Sequence, residues 1–187
     1  MTSLSGTILV PKAHGRIAFR GSIDTLEAEI IEAQVLSASL GADAQSSAES
    51  ECCGHLGEIL DYLRAIMAAE VKETPLPPPF LFGMDAEEIH RASHNIEGSL
   101  GAAPQLPSYT QGPLAARLNT IRAKVREAEL LAVRVFGPRT SLTEEPEESG
   151  QCQREGSEQN PREDIILALN RLSSALWWLY CRFTSLV

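Results

Sequence analysis

Apolar residues recur every three or four positions in four long segments of the chain, which is the spacing of a buried helical face. No segment alternates persuasively between apolar and polar residues, as a half-buried strand would. The pattern therefore predicts an all-α fold: an antiparallel five-helix bundle with four long or medium helices and one short helix. The four stripes are Ile23, Leu26, Ile30 and Ala33; Leu56, Ile59, Leu63 and Ile66; Leu114, Leu118, Ile121, Val125, Ala128, Ala132 and Val135; and Ile165, Leu169, Leu172, Leu176, Leu179 and Phe183.

Capping residues, glycines and prolines mark the ends of these helices. Ser22 is a suitable N-cap for a first helix over 22–40. A second helix over 47–71 ends at "KETPLPPPFLFG", because proline cannot continue the helical hydrogen bonds. "DAEEIHRASH" predicts the short helix, and "NIEGSLGAAPQLPSYTQG" predicts a loop. The Gly-Pro pair at 137–138 stops the third long helix.

The last helix is predicted to begin with Asn160 as N-cap and Pro161 as its first residue, a favoured pair. The segment before it, 139–160, is acidic, polar and nearly free of large apolar side chains. It predicts a disordered insertion, with an ordered surface loop as the alternative. A flexible N-terminal arm over 1–21 completes the prediction of a single helical-bundle domain over 1–187.

Composition narrows the classes of function. The net charge of −9 argues against a protein that coats nucleic acid, because that role needs a broad basic surface. The apolar stretch "LSSALWWLYC" is far shorter than the ~20 residues of a membrane span. The start, "MTSLSGTILVPK", lacks the apolar core of a signal peptide. The four cysteines do not form a secreted disulfide framework, so we expect a reducing, cytoplasmic setting.

A basic cluster precedes the first predicted helix. Lys12, His14, Arg16 and Arg20 lie within nine residues, just ahead of Asp24. Charges at a chain surface are usually only solvated. A cluster at a helix entrance can also hold an anion, which the helix dipole favours.

A second polar cluster is predicted on the last two long helices. Arg122, Arg126 and Glu129 are spaced i, i+4 and i+7, so they share one helical face. Asn170 and Arg171 follow the packed run "DIILAL", so at least one of them is expected near a seam between helices. Burying a guanidinium without a partner is costly. Such arginines need internal carboxylates or a bound anion, and on the pattern alone structural ion pairs are the favoured alternative.

Three segments, in this order, resemble the ATP:corrinoid adenosyltransferase family. "RIAFRGSIDTLEAEI" resembles the segment in which an arginine precedes a glycine and the "DxLxA" helix start. "LNTIRAKVREAEL" resembles the family's arginine-rich helix, and "LNRLSSALWWL" resembles its closing helix. The resemblance covers about residues 10–137 and 162–184. "VPKAHGRIAFRG", the adjacent cysteines, "RASHN" and "LPSYTQGP" look most like the ethanolamine-utilization branch.

The resemblance implies a five-helix bundle that forms a homotrimer, with ATP between neighbouring subunits. It implies transfer of the 5′-deoxyadenosyl group of ATP to the cobalt of reduced cobalamin, with release of triphosphate. Arginines and Mg²⁺ would hold the triphosphate and neutralise its developing charge.

Individual roles follow only from the resemblance. It implies a catalytic group of Arg126, Asp24 and Arg122, with Asp24 orienting the arginines or meeting the nucleotide. Ser174 occupies the position of a family aspartate, and "SLSGTILVPK" is at best a remnant of the usual phosphate loop. The implied nucleotide- and triphosphate-binding residues are Lys12, His14, Arg16, Arg20, Glu129, Asn170 and Arg171.

The ethanolamine branch also carries a His, Cys-Cys, Cys pattern that binds a divalent metal. Here Cys52, Cys53 and His55 offer two thiolates and an imidazole, which suit Zn²⁺ or Fe²⁺. His90 or His94, on the short helix at i and i+4, would complete a site. The alternative is that the two cysteines are ordinary small residues at a helix start.

Large aromatic residues are a further candidate group, since apolar residues near the corrinoid exclude water and the lower axial ligand in the family. Phe80 or Phe82 in "PPPFLFG" would serve, whereas neither Trp177 nor Trp178 is assigned a role.

Two other functions remain open at this point: a non-catalytic corrinoid- or nucleotide-binding bundle (a chaperone or sensor), and an interaction scaffold that docks through 139–160. The resemblance leaves open a cobalamin reductase or a cobalamin-dependent lyase as partner. It also leaves open a location free in the cytoplasm or inside a bacterial microcompartment. Nucleic acid and membrane are not expected as partners.

Overall fold

A computed structural model describes residues 1–5, 8–41, 47–138 and 161–186. It confirms the all-α prediction: the long helices form an antiparallel bundle in which α1 packs against α2 and α5, and α6 packs against α5 and α2. Two short helices lie between α2 and α5 in the sequence. The helices are α1 (Gly15–Gly41), α2 (Ser47–Lys72), α3 (Ala86–His94), α4 (Ile96–Leu100), α5 (Gly112–Phe136) and α6 (Glu163–Leu186).

The four predicted apolar stripes meet in one core. All their members are buried except Val135, which is partly exposed and packs against the core. Phe19 of α1 adds to them, with its ring edge-on to Phe136 of α5 at a centroid distance of 5.0 Å. Among the described residues, no helix combines the length and the apolar character needed to cross a membrane.

The N-terminal region differs from the prediction. Strands β1 (Thr2–Ser5) and β2 (Ile8–Val10) pair antiparallel, and α1 begins at Gly15. An arm extending over 1–21 is therefore wrong for residues 15–21, and Ser22 is not an N-cap: its hydroxyl donates to the carbonyl of Phe19 within α1, at 2.7 Å. The buried side chain of Phe19 explains the earlier start, because it extends the apolar face of α1 by one turn.

Two other boundaries differ. The predicted loop after α3 contains α4 and a 3₁₀ turn at Tyr109–Gln111, stabilised by side-chain caps from Asn95 and Ser108. Helix α6 begins at Glu163, so Pro161 precedes it rather than forming its first turn. The capping role of Asn160 and the predicted insertion over 139–160 lie outside the described residues.

Candidate functional site

A cleft of about 350 Å³ lies between α3, α5 and α6. Its lining combines two arginines with hydroxyl groups, an imidazole and an indole. Part of its rim comes from residues 105–111, the segment just before α5, which we call the rim segment. The lining residues are Ser93, His94, Leu106, Pro107, Arg122, Arg126, Ser173, Ser174 and Trp177. The structure thus brings two of the predicted catalytic residues together on one surface.

Helical periodicity explains why these side chains meet. On α5, Arg122 and Arg126 each follow a buried core residue by one position and are one turn apart, so both lie on one side of the buried stripe. On α6, Ser174 and Trp177 border the buried stripe in the same way. Because α5 packs against α6, the polar borders of the two helices form the walls of the cleft.

The cleft arginines are not neutralised by carboxylates. Arg122 donates from Nε and Nη2 to Asn119 Oδ1 at 3.4 and 3.3 Å, and its Cζ lies 5.3 Å from the ring centroid of Trp177. Within the described part of the chain, neither Arg122 nor Arg126 forms an ion pair. Most other arginines there do pair with carboxylates: Arg16, Arg20, Arg64, Arg117, Arg162, Arg171 and Arg182. The cleft therefore holds positive charge that an anion would compensate.

A polar network continues along the same seam between α5 and α6. Asn170 donates from Nδ2 to Glu129 Oε1 at 2.9 Å, and Arg171 donates from Nη1 to Asn170 Oδ1 at 2.7 Å. The nearest carboxylate oxygen to Arg171 Nη2 belongs to Glu87 of α3, at 3.6 Å, and the buried Nε of Arg171 has no partner among the described residues. Three predicted binding residues thus form one network.

A second groove, of about 360 Å³, follows this network toward the start of α6. Glu129 and Asn170 line it together with apolar residues, including Val133 and Leu167, which are 46% and 45% exposed. The seam is therefore polar around the arginines and apolar farther along.

The arginines in the first turns of α1 have a different environment. Arg16 donates from Nε to Glu70 Oε1 at 2.5 Å and from Nη1 to Glu73 Oε1 at 2.6 Å, while Arg20 donates from Nε to Glu70 Oε2 at 2.5 Å. Glu70 is completely buried. Burial lowers the pKa of Arg16, but its bonds and charge interactions with Glu73 and Glu70 outweigh this, so the pKa is raised. Arg16 and Arg20 are thus neither simply solvated nor free to hold an anion, because they form ion pairs inside the chain.

Other predicted residues near the start of α1 have fewer contacts. Lys12 and Asp24 are exposed, and His14 accepts from the backbone N–H of Arg16 through Nδ1 at 3.2 Å. Among the described residues, no hydrogen bond or ion pair joins Asp24 to Arg122 or Arg126. The third member of the predicted catalytic group is therefore separate from the other two within a single chain.

The predicted metal ligands do not converge. Cys52 lies in the core, where burial raises the pKa of its thiol to about 12. His55 lies against Phe82 and interacts with the carboxylates of Glu51 and Glu58. Cys53 and His55 are two positions apart on a helix and so face nearly opposite directions. The described residues contain no group of three or more His, Cys, Asp and Glu side chains able to hold a metal ion, and the donor set does not fit Zn²⁺ or Fe²⁺.

The other candidate ligands and aromatics differ in their surroundings. The rings of His90 and His94 are 4.2 Å apart, and His94 Nδ1 lies 2.9 Å from the carbonyl oxygen of His90. Phe82 stacks on Trp178 with a centroid distance of 5.5 Å. Phe80 is 68% exposed.

Sequence reasoning missed several residues of the cleft. Trp177 was left without a role, and His94 was considered only as a metal ligand. The rim residues Leu106 and Pro107 lay in a predicted loop without regular spacing. Ser173 and Trp177 could have been found from their positions three and seven residues after Asn170, on the same side of α6.

The fold and this cleft define an all-α bundle protein with an arginine-lined cleft. The sequence matches the family described as "Cobalamin adenosyltransferase" over residues 1–183. The chain therefore belongs to the cobalamin adenosyltransferase family, as the three sequence motifs predicted.

Individual relatives agree with this assignment. The chain is 31% identical over 177 residues to "Corrinoid adenosyltransferase EutT" of Salmonella typhimurium (strain LT2), and equally to that of Escherichia coli (strain K12). Each alignment covers 95% of this chain and 56% of the relative, so the chain spans little more than half the length of these proteins. No solved structure shows a significant match.

Proposed function

We propose that this protein is an ATP:corrinoid adenosyltransferase of the ethanolamine-utilization type. Its family and the names of its relatives support this activity. The observation that carries the proposal is the pair of arginines, Arg122 and Arg126, that line the cleft without a carboxylate partner among the described residues. Such a site suits a multiply charged phosphate chain.

The reaction requires little chemistry from the protein's own side chains. The cobalt of reduced cobalamin donates its electron pair to C5′ of ATP, a cobalt–carbon bond forms, and the bond between C5′ and the triphosphate oxygen breaks. The bonding pair leaves with triphosphate. The protein must therefore align the two substrates and stabilise the charge of the leaving group.

The cleft offers groups for both tasks. Arg122 and Arg126 would bind the triphosphate as it accumulates charge, and Asn170 and Arg171 would contact the nucleotide from α6. Mg²⁺ would be bound mainly by phosphate oxygens and water, and Glu129 is the carboxylate that this seam contributes. We further propose that Arg16 and Arg20 contribute only after releasing Glu70, since the Nε of each is already bonded to that carboxylate.

A homotrimer would complete the site. The groove beside Asn170 has an apolar lining, and Leu130, Val133 and Leu167 are exposed along the same two helices, which suits contact with another subunit. We propose that a neighbouring subunit supplies Asp24, Lys12 and His14 to the cleft. These side chains are the ones near the start of α1 that Glu70 does not engage.

The proposed setting is the cytoplasm, either free or within a bacterial microcompartment, with a cobalamin reductase or a cobalamin-dependent lyase as partner. The buried, unpaired thiols of Cys52 and Cys181 are compatible with a reducing environment.

An anaerobic spectral assay tests the activity. Protein, ATP, Mg²⁺ and chemically reduced cobalamin are mixed, and the loss of the reduced-cobalt band is followed together with formation of a light-sensitive product. We expect turnover by the wild type and a loss of about 100-fold or more in kcat/KM for Arg126→Ala, by analogy with removal of a charge-stabilising donor.

Arg134→Ala is the matched control, because Arg134 is exposed on the same helix and does not line the cleft. We expect it to retain wild-type activity. Full activity of Arg126→Ala, or an equal loss in both variants, would show that the cleft is not the triphosphate site.

A non-catalytic binding bundle is the second candidate. Ser174 lies in the cleft at the position where the family motif has an aspartate, so one charged group of the usual site is missing. In that case the protein would bind ATP or cobalamin without forming the light-sensitive product.

A further inference from the structure

Trp177 is a prominent feature of the cleft wall for which neither the sequence motifs nor the proposed reaction provides a role. Its indole is half-buried on α6, and the guanidinium of Arg122 lies over the ring at 5.3 Å from its centroid. Within the part of the chain that the structure describes, the other contacts of this guanidinium are two long hydrogen bonds to the amide oxygen of Asn119, at 3.3 and 3.4 Å. The indole is thus a principal contact that orients Arg122.

Trp177 is itself held in place. Its ring stacks on Tyr180, one turn later on α6, with a centroid distance of 5.4 Å and an interplanar angle of 14°. Tyr180 is 1% exposed, and its hydroxyl donates to Gln111 Oε1 at 2.6 Å. Helix α6 and Gln111 therefore restrict the orientation of the stacked rings.

Gln111 also organises the rim segment. Its Oε1 accepts from the backbone N–H of Ser108 at 2.7 Å, and its Nε2 donates to the carbonyl of Leu106 at 3.3 Å. A continuous series of contacts thus runs from the rim of the cleft through Gln111, Tyr180 and Trp177 to Arg122.

We propose that Trp177 is a positioning residue that holds the guanidinium of Arg122 toward the phosphate-binding part of the cleft. This inference rests on the proposed function, because it assumes that Arg122 binds a phosphate chain. A flexible arginine side chain loses rotamer freedom when it binds an anion, and contact with a rigid indole removes part of that cost beforehand. The same contact leaves the N–H groups at the edge of the guanidinium free to donate.

The test measures binding of inorganic triphosphate by titration calorimetry, which requires neither corrinoid nor turnover. We expect Trp177→Leu to weaken binding by about 3-fold to 10-fold, because it removes the cation–π contact. Trp177→Phe keeps an aromatic face and should retain most of the affinity. Trp178→Leu is the matched control: Trp178 is the adjacent indole, bonded to Ser99 outside the cleft lining, and its loss should leave the affinity unchanged.

A double-mutant cycle separates positioning from general damage to the fold. If Trp177 acts through Arg122, Trp177→Leu should have no further effect on triphosphate affinity in an Arg122→Ala background. Additive losses, or wild-type affinity for Trp177→Leu, would overturn the inference. Failure of the proposed function looks different: the wild type would form no adenosylated product, and neither Arg122→Ala nor Arg126→Ala would change triphosphate affinity.

Discussion

At the scale of single residues, the surroundings of each arginine indicate its role. Arg16 and Arg20 share one buried carboxylate, Glu70, so their charges are already compensated inside the chain. Among the described residues, Arg122 has only an amide oxygen and an indole as partners, and Arg126 has no ion pair. A guanidinium that keeps free donors at a cleft can bind a ligand without first breaking an ion pair.

The cysteines allow a direct residue-scale test of the metal question. Burial raises the pKa of Cys52 to about 12 and that of Cys181 to about 11, and both side chains are inaccessible. The thiolate is the reactive form, so both should resist alkylation in the native protein. We expect mass spectrometry after iodoacetamide treatment to find Cys53 labelled ahead of Cys52 and Cys181, and all three labelled after unfolding.

Cys53→Ser is the control that identifies the labelled peptide. A metal site at Cys52, Cys53 and His55 would give another result: Cys53 would be protected until a chelator was added. Labelling of Cys52 as fast as Cys53 in the native state would contradict the buried position of Cys52.

The sequence predicted part of this site for a clear physical reason. Arg122 and Arg126 are one turn apart on a strongly periodic helix, so their shared face follows from helical geometry. The pairing of Arg16 with Glu70 could not be predicted from helical spacing. It joins residues 54 positions apart, and only the packing of α1 against α2 brings them together. Cys52, Cys53 and His55 do not converge within one chain, because neighbouring helical residues point in different directions.

At the scale of helices, charged side chains link α1 to α5 beside the buried stripes. Glu29 of α1 accepts from Arg117 Nη1 at 2.5 Å and also pairs with Lys124, about two turns farther along α5. The hydrogen bond from Lys124 lowers the pKa of Glu29, and Arg117 adds to this effect, whereas burial opposes it. The carboxylate therefore stabilises the contact between the helices in its ionised form.

This linkage predicts how stability depends on pH. The folded-state pKa of Glu29 is below its ordinary value of 4.5, so its stabilisation is complete above pH 4.5 and is lost as the pH falls through the folded-state pKa. We expect Glu29→Gln to lower the free energy of unfolding by about 1 kcal/mol at neutral pH. The difference from wild type should shrink as the pH falls below 4.5, in denaturant titrations followed by circular dichroism.

Glu32→Gln provides a matched control, because its carboxylate also pairs with Arg117 but is 63% exposed. Its effect should be smaller than that of Glu29→Gln. A Glu29→Gln difference that stays constant through acidic pH would show that ionisation of Glu29 is not what stabilises the contact.

The helices themselves were largely predictable from the sequence, and their ends less so. Each long helix carries an uninterrupted apolar stripe, and burial of that stripe decides where the helix lies. The start of α1 was misplaced because Ser22 resembles a cap, although Phe19 already belongs to the buried face. Helix α4 was missed because its five residues contain a glycine and too little periodicity for a helix to be recognised.

At the scale of the whole molecule, the candidate catalytic residues belong to two surfaces of one chain. Arg122 and Arg126 line the cleft between α3, α5 and α6, whereas Asp24 is exposed on α1 without a contact to either arginine in the described chain. A symmetric assembly can join two such surfaces, because each subunit then offers one surface to each neighbour. The proposed homotrimer would thus form three equivalent sites from incomplete halves.

Subunit complementation tests this arrangement. We expect Asp24→Ala and Arg126→Ala to be nearly inactive when each is prepared alone. Co-expression with two different tags allows mixed trimers to be isolated, and light scattering verifies their mass. A site between an Arg126→Ala chain, which supplies Asp24, and an Asp24→Ala chain, which supplies Arg126, has both native residues. In each isolated mixed trimer, about one third of the sites should then be intact and active in the cobalamin assay.

The control is a chain that carries both Asp24→Ala and Arg126→Ala, mixed with wild type. A site in such a mixture is intact only when two wild-type chains form it, because the doubly substituted chain can supply neither residue. The activity of these mixtures should fall in proportion to the fraction of sites that lie between two wild-type chains. If verified mixed trimers of the two single variants are inactive, the shared site is contradicted. Asp24 and Arg126 would then act in the same subunit, or Asp24 would not belong to the site. A monomeric wild type that turns over cobalamin would contradict the shared site altogether, because each chain would then complete the cleft from its own residues.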